Sequence, residues 1–391
     1  MNIRFRLVLT SLLYAATTCA LAQVECKNHY ILAEPCESTA ELRWLDTMQP
    51  SIPHGAGHTA TVLASGGVLV AGGTLSEKVA QLYDPAAGTW TMAGRMGIAR
   101  IGHEAVLLRD GRVLVVGGDP ARSLQSTAEI FDPGTLEWTP ASPLALHRPS
   151  WRIVPRPDFT ATRLPDGRVL VVGGNDPTFS GIREGEIYDP ASDTWQLTAS
   201  SGVWRVGHSA TLLADGRVLV AGGVTDWDFV WLAPFAETYD PRSDSWARAG
   251  IGPARFDHST TPLGDGTVLF AAGAGPVPGA TLPAWMPWWI GGVTDTSVAY
   301  DARNGTWTPA ASLSAVSDFH ISVNLGDRVV AFLQFVESGW PPRLESYSPA
   351  ARAWFTADAA GTPPGVAFTA TKIDARTALF IGPRGVKLLA Y

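Results

Sequence analysis

Three features of the sequence predict an all-β fold made of repeated four-stranded units. The segment GHSATLLADGRVLVAGG (Gly207 to Gly223) recurs, with variations, along the 391 residues. A second segment, such as IYDPASDTW, follows most copies after a gap of variable length. The composition, with 40 Gly and 29 Pro, favours turns over long helices. Because self-similarity outranks any local pattern, we expect one repeat array and not several unrelated domains.

Each repeat predicts four strands in order. HSATLL and RVLVAGG form the first two, since the Asp-Gly between them is a strong hairpin signal. The second strand is a continuous apolar run, so both of its faces are expected to be buried between stacked sheets. The third strand ends at Tyr-Asp-Pro, where Asp bonds backbone N–H groups and Pro presets φ. A Trp then opens the fourth strand, and such units arranged radially form a β-propeller.

Counting the repeats predicts seven blades. Their first strands begin at His58, His103, Phe159, His208, His258, His320 and Phe368. Only six fourth strands follow, marked by Trp90, Trp138, Trp195, Trp246, Trp307 and Trp354. The missing strand is ELRWLDTM, around Trp44, so the N-terminal strand is predicted to pair into the last blade. This closure removes the exposed edges of an open sheet.

The Gly-Gly doublet, the Tyr after it and the spaced Trp resemble the kelch repeat, from about residue 41 to residue 391. The last three copies depart from the pattern, with Ala-Gly or no doublet. The sequence is also similar to bacterial secreted kelch proteins and to galactose-oxidase-like propellers. Copper-radical oxidases of the latter kind use Tyr and His ligands and a Tyr–Cys cross-link. No Cys lies in the predicted propeller and six Tyr are third-strand repeat residues, so we predict neither a metal nor another cofactor.

The N-terminus predicts export. Residues 1–22 combine two Arg, an apolar run and an Ala-Leu-Ala site, the layout of a cleavable signal peptide. Residues 23–40 form a lead in which Cys26 and Cys36 are expected to form a disulfide in an oxidising compartment. No other apolar run is long enough to span a bilayer, so we predict a secreted or periplasmic chain without a transmembrane segment. The net charge of -7 argues against a nucleic-acid partner.

Antiparallel connectivity places the loops on two faces. The face with the second-to-third loops and the fourth-to-first connections holds all the length variation, and long loops on a rigid scaffold often carry function. Eight Trp outside the repeat pattern fall on this variable face: Trp151, Trp204, Trp227, Trp231, Trp285, Trp288, Trp289 and Trp340. They predict a binding surface for a sugar, a peptide or another apolar partner. The alternative is that residues 283–292 fold over as a plug.

Four arginines repeat at one position. Arg100, Arg156, Arg205 and Arg255 each stand three residues before the first-strand His or Phe. Guanidinium groups that converge at the channel mouth can bind carboxylates, and the kelch resemblance implies such a role for acidic ligands. The alternative is a structural tie to a neighbouring carbonyl.

Five of the histidines, at the start of first strands, are interpreted as structural. They are predicted to lie too far apart around a wide channel to bind one metal ion. If the protein catalyses an acid–base reaction, the two non-repeat residues His54 and His147 are the better candidates.

The sequence therefore predicts a binding module that recognises a carbohydrate-like or acidic ligand on the variable face. A protein-interaction scaffold and a sugar mutarotase, epimerase or lyase are the alternatives.

Overall fold

The computed structural model describes residues 42–73, 78–119, 126–149, 158–178, 180–225, 232–233, 235–275, 294–316, 319–334, 342–361, 363, 367, 369–382 and 385–391. Within these ranges the regular elements are 29 β-strands. No helix in them is long and apolar enough to cross a membrane. The predicted signal peptide and the predicted Cys26–Cys36 disulfide lie outside the described residues.

Strand β1 (Leu42–Asp46) precedes blade one. Blade one contains β2 (His58–Val62), β3 (Val68–Gly72), β4 (Val79–Asp84) and β5 (Thr89–Arg95). Blade two contains β6 (Glu104–Leu107), β7 (Val113–Val116), β8 (Ala128–Asp132) and β9 (Glu137–Ala141). Blade three contains β10 (Phe159–Arg163), β11 (Val169–Gly173), β12 (Glu184–Asp189) and β13 (Thr194–Ser200). Blade four contains β14 (Val206–Leu212), β15 (Val218–Val224), β16 (Glu237–Asp240) and β17 (Ser245–Arg248).

Blade five contains β18 (Ser259–Pro262), β19 (Thr267–Ala271), β20 (Ser297–Asp301) and β21 (Thr306–Ala310). Blade six contains β22 (Phe319–Asn324), β23 (Val329–Gln334), β24 (Arg343–Ser348) and β25 (Ala353–Ala357). A short strand, β26 (Ala359–Ala360), follows it. Blade seven contains β27 (Thr369–Lys372), β28 (Thr377–Gly382) and β29 (Gly385–Ala390). Blades one to six are antiparallel meanders in chain order, and the seven sheets confirm the predicted β-propeller.

The N-terminal strand completes blade seven, as the sequence predicts. Strand β1 pairs antiparallel with β29, with Trp44 opposite Leu389, and parallel with β26 on its other side. The Trp44 ring is buried and meets Phe380 edge-on at 5.0 Å between ring centroids. The two ends of the propeller are therefore joined by backbone hydrogen bonds and by a shared aromatic core.

The second strands form the dry interior between blades. Every side chain of β3, β11 and β15 is buried, because these strands pack against a neighbouring sheet on each face. The predicted Asp turn also forms: Asp84 Oδ1 accepts hydrogen bonds from the backbone N–H of Ala86 (2.8 Å) and Ala87 (3.2 Å). The continuous Val/Leu runs thus form the buried second strands, and the Tyr-Asp-Pro segment of blade one forms the turn, as the sequence predicts.

The fourth-strand Trp residues link neighbouring blades at the outer edge. Each lies beside the third-strand aromatic residue of its own blade, for example Tyr188 and Trp195 at 4.9 Å. The indole Nε1–H then donates to the preceding blade. These bonds are Trp138 to Ala93 O (2.7 Å), Trp195 to Ser142 O (2.7 Å), Trp246 to Ala199 O (2.9 Å), Trp307 to Ala249 O (2.6 Å) and Trp354 to Ser297 Oγ (3.1 Å). Trp90 donates to Met48 O (2.7 Å) in the same way.

The Gly-Gly doublet makes room for the next blade. Gly222 has φ +69°, and a Cβ there would lie 2.5 Å from the carbonyl oxygen of Arg255 and 2.5 Å from the His258 ring. Gly223 follows with φ +87°. A side chain at Gly222 would therefore meet both a strained backbone and the histidine of blade five.

Gly222→Ala is expected to lower the free energy of unfolding by roughly 2 kcal/mol or more, since left-handed strain alone costs about 1–2 kcal/mol. The matched control is Gly264→Ala, because a Cβ on Gly264 would meet no other atom within 4 Å. Chemical denaturation of both variants checks this. A Gly222→Ala protein as stable as the Gly264→Ala protein would contradict the role given to the doublet.

Candidate functional site

The first strands surround a central channel that forms a cavity of about 450 Å³. Its wall repeatedly carries Ser and Thr hydroxyl groups, which follow most of the first-strand aromatic residues or lie further along the same strand. These residues are Thr59, Thr61, Thr160, Ser209, Ser259, Thr260, Ser322, Thr369 and Thr371. A wall of this kind offers many hydrogen-bond donors and acceptors that carry no net charge.

Histidines at the start of the first strands join five of the seven blades to the preceding one. Their Nε2 atoms contact the residue after the first-strand aromatic of that blade. The contacts are His58 with Thr369 Oγ1 (2.8 Å), His103 with Thr59 Oγ1 (2.8 Å), His208 with Thr160 Oγ1 (3.0 Å) and His258 with Ser209 Oγ (2.9 Å). His320 Nε2 instead accepts from the backbone N–H of Ser259 (3.0 Å). The first of these contacts closes the ring between blades seven and one.

Three of these histidines, His58, His103 and His208, are neutral structural groups. Burial lowers the pKa of His58 to about 4, and the pKa values of His103 and His208 to about 3. His58 Nδ1 lies 2.7 Å from the carbonyl oxygen of Gly55, so Nδ1 carries the proton and Nε2 accepts. The structural interpretation of the sequence fits these contacts.

The series of histidine links is interrupted between blades two and three. Blade three carries Phe159 at the histidine position, and its ring packs where a Cβ of Gly117 would lie, 2.6 Å from Phe159 Cζ. A phenyl ring has no nitrogen for a hydrogen bond. The residue it faces on the preceding blade is correspondingly different, because Glu104 replaces the Thr or Ser found in most other blades.

Glu104 stands on the channel wall without a partner among the residues that the structure describes. Its side chain is half-buried, lines the cavity and makes no hydrogen bond or ion pair with any of them. Burial raises the pKa of Glu104 to about 8. Asp257 is the other acidic residue on the described wall. Sequence analysis missed Glu104; the signal was the simultaneous change of Thr to Glu in one blade and of His to Phe in the next.

The predicted arginine cluster is a set of internal ties. Arg100 is fully buried and donates to Glu129 Oε1 (2.6 Å from Nη2) and to the carbonyl oxygen of Gly117. Arg205 donates to Glu237 Oε2 (3.1 Å) in the same manner. Their guanidinium groups fix the connection between blades and do not converge on the channel.

Arg255 follows the same pattern without a glutamate. It donates to the carbonyl oxygens of Ala272 (3.0 Å) and Thr296 (2.6 Å) and to Thr296 Oγ1 (2.7 Å). For Arg100, Arg205 and Arg255 the contacts are thus those of the alternative interpretation, a structural tie.

In blade three this position belongs to Arg148 and not to Arg156. Arg148 is buried, lies 3.3 Å from Glu186 Oε2 and donates to the carbonyl oxygen of Gly173, 25 residues ahead. In blades two, four and five the same contact spans 17 residues. The longer connection before Phe159 shifts the spacing, which is why counting back from Phe159 selects Arg156. Arg156 itself lies outside the described residues.

His54 is the blade-one counterpart of these arginines. Its Nδ1 lies 2.9 Å from the carbonyl oxygen of Gly72 and therefore donates, while Nε2 accepts from the Gln81 amide at 3.1 Å. Burial lowers the pKa of His54. A buried imidazole with both nitrogens engaged is a structural group. The Arg–Glu pair of other blades is thus replaced here by His–Gln.

His147 is half-buried, next to Arg148, and burial lowers its pKa. Its Nδ1 has no hydrogen-bond partner among the described residues. His147 is not among the residues that line the channel, so the structure does not bring it together with Glu104.

Among the additional tryptophans, Trp204 is half-buried and packs against Val206, Val224 and Phe256. A Cβ on Gly181 would overlap its ring, at 1.7 Å from Cδ2, so the indole lies directly on that glycine. The remaining seven, Trp151, Trp227, Trp231, Trp285, Trp288, Trp289 and Trp340, lie outside the described residues, so the predicted tryptophan surface stays a prediction.

Parts of the chain are similar in sequence to kelch repeats of known proteins. A profile for the Kelch motif matches residues 105–145. One F-box/kelch-repeat protein of Arabidopsis thaliana is 27% identical over 181 residues, which cover 45% of this chain and 40% of that protein. Another is 32% identical over 130 residues, which cover 29% and 31%. The matched regions span less than half of these plant proteins.

Two solved structures share the fold. A fungal alcohol oxidase of the AA5 family, in complex with copper, has a TM-score of 0.64 and 17% identity, over 89% of this chain and 76% of that one. YjhT has a TM-score of 0.58 and 13% identity, over 79% and 99%. At these identities the likeness concerns the fold alone.

The copper of that oxidase does not fit the side chains described in this chain. No group of three or more His, Cys, Asp or Glu in the described ranges is placed to hold a metal ion. Five of the tyrosines are buried in third strands beside tryptophans: Tyr83, Tyr188, Tyr239, Tyr300 and Tyr347. These residues build the blades.

The lowered pKa values of the buried histidines predict that the folded protein loses stability in acid. A folded pKa below the unfolded value of about 6.5 means that the unfolded chain binds more protons as the pH falls, so stability drops below pH 6.5. One such histidine is expected to cost about 2 kcal/mol by pH 5. His208→Phe, which copies blade three, should lose less unfolding free energy than wild type between pH 7 and pH 5 in urea titrations. An equal loss in both proteins would contradict a neutral buried His208.

The raised pKa of Glu104 predicts the opposite dependence of stability on pH. Its folded pKa of about 8 lies above the unfolded value of about 4.5, so the contribution of this residue to stability falls as the pH rises through that range. Glu104→Gln should therefore raise the thermal midpoint more at pH 8.5 than at pH 5. Glu137→Gln, exposed on the outermost strand of the same blade, is the control. Equal shifts at both pH values would contradict the unpaired carboxyl.

Proposed function

Because the chain belongs to the kelch-repeat β-propeller family, a fold of binding and protein-interaction modules, we propose that it binds a carbohydrate-like ligand in its central channel. The observation that carries the proposal is the channel wall, where hydroxyl side chains from successive first strands surround a cavity of about 450 Å³. Sugars present hydroxyl groups in every direction, and a ring of fixed Ser and Thr side chains can bond several of them at once.

The charges around the channel favour a neutral or cationic ligand over an acidic one. Arg100 and Arg205 are engaged by buried glutamates, and Arg255 by main-chain carbonyls, so none offers a free guanidinium to a carboxylate. The acidic side chains on the described wall are Glu104 and Asp257. Of the two ligand classes that the sequence predicts, we therefore propose the carbohydrate-like one. Export, as the N-terminal segment predicts, would bring the channel into contact with sugars outside the cytoplasm.

A protein-interaction scaffold is the second candidate. Several apolar side chains are exposed, among them Ile251 (84% exposed), in the connection after β17, and Leu197 (48%), in the outer strand β13. The plant relatives are named as F-box proteins with kelch repeats, a name that belongs to proteins of which this chain matches only a part. Catalysis by His54 has no support, since both of its ring nitrogens bond inside the protein.

The test of carbohydrate binding is a glycan array probed with the purified chain, followed by calorimetry with the glycan that binds. Thr260 lies on the channel wall, so Thr260→Tyr fills part of the cavity and is expected to weaken binding at least about tenfold. Thr139→Tyr, the same change on an exposed outer strand, is expected to leave the affinity within about twofold.

Thermal unfolding of both variants verifies that each is folded. Binding that survives Thr260→Tyr unchanged would place the sugar elsewhere, and absence of any bound glycan would overturn the proposal.

A further inference from the structure

The inner wall contains one side chain that the propeller architecture does not require. In four of the blades that begin with His, the imidazole contacts a hydroxyl at the facing position, as His103 contacts Thr59. His320 bonds the backbone N–H of Ser259 instead. Two blades begin with Phe instead of His, at Phe159 and Phe368. The residues at the facing position of the blades before them are Glu104 and Ile321. Ile321 is buried in an apolar cluster, so a hydrophobic side chain is accommodated at this position of blade six.

Blade two thus carries Glu104 at the position where blade six carries the apolar Ile321. The carboxyl group at this position costs free energy. A carboxylate in a confined site without a hydrogen-bond donor loses solvation that nothing in the described residues returns. Glu129, Glu186 and Glu237, by contrast, each lie beside a buried arginine in their own blades. Glu104 is the acidic side chain that projects into the cavity without such a cation, within the part of the chain that the structure describes.

Resting on the proposed function, we propose that Glu104 binds the protonated amino group of the ligand, so that the channel accepts an amine-bearing sugar. An ammonium group supplies the charge and the N–H donors that the carboxylate lacks. The surrounding hydroxyls, Thr59 and Thr160 on the neighbouring blades among them, are left for the hydroxyl groups of the same ligand. A calcium or magnesium ion is a poorer match, since such ions need several oxygen ligands around one point and no acidic cluster of that size is described.

The experiment compares matched probes that differ only in the amino group. Calorimetry at pH 7 compares the affinity for glucosamine with that for glucose, and the affinity for chitobiose with that for N,N′-diacetylchitobiose. The wild type is expected to bind each amine about 10- to 100-fold more tightly than its uncharged partner. Glu104→Gln and Glu104→Thr should remove this preference and keep the binding of the uncharged sugars, whereas Glu137→Gln should behave as wild type.

Each outcome separates the two proposals. Amine and neutral sugars that bind wild type equally, or a preference that survives both Glu104 variants, would overturn the role of Glu104 and leave carbohydrate binding in place. If neither member of either pair binds and the glycan array is also blank, the proposed function itself fails and the role of Glu104 fails with it. Thermal unfolding of the two Glu104 variants verifies that lost preference reflects lost charge and not lost structure.

Discussion

The hydrogen bond between a buried imidazole and a hydroxyl of the preceding blade is the contact on which the rest of the structure depends. It joins first strand to first strand at the narrowest part of the propeller, and between His58 and Thr369 it joins the last blade to the first. The contact requires a glycine against the ring, a neutral histidine and a Ser or Thr one residue after the preceding aromatic position. Repetition of these three residue types therefore sets the shape of the channel and lines it with hydroxyl groups.

This arrangement explains why the channel is polar although the blades are held by apolar strands. The Val/Leu second strands are covered on both faces, so they contribute nothing to the cavity. Four of the wall hydroxyls, those of Thr59, Thr160, Ser209 and Thr369, have one hydrogen bond to a histidine and retain capacity for a second partner. A ligand with many hydroxyl groups meets this surface without displacing the bonds that hold the ring together. The interruption at Phe159 and Glu104 introduces one carboxyl group into a repeat that presents hydroxyl groups at this position in most other blades.

Much of the fold follows from the sequence, because each strand has a local signal. Asp-Gly marks the first hairpin, the Val/Leu run marks the buried second strand, and the count of Trp-bearing strands predicts the closure through Trp44. The roles of the residues in the candidate site were harder to predict from the sequence. Arg100, Arg205 and Arg255 repeat for a structural reason, and the sequence does not show which carboxylate lies opposite each of them. Arg148 escaped notice because a longer connection changes its distance from Phe159. Glu104 becomes visible only when the neighbouring blade is considered, since its partner position is 55 residues away in the chain (159 - 104).

The most direct test of this account is the titration of the imidazole nitrogens by nuclear magnetic resonance in the intact protein. If the inner histidines hold the blades together as neutral groups, the ¹⁵N signals of His103 and His208 will keep their neutral shifts from pH 8 to about pH 5, below the ordinary value of about 6.5. Titration of these signals near pH 6.5 would show solvated imidazoles, and would contradict the ring of inter-blade hydrogen bonds from which the channel and its ligand have been inferred.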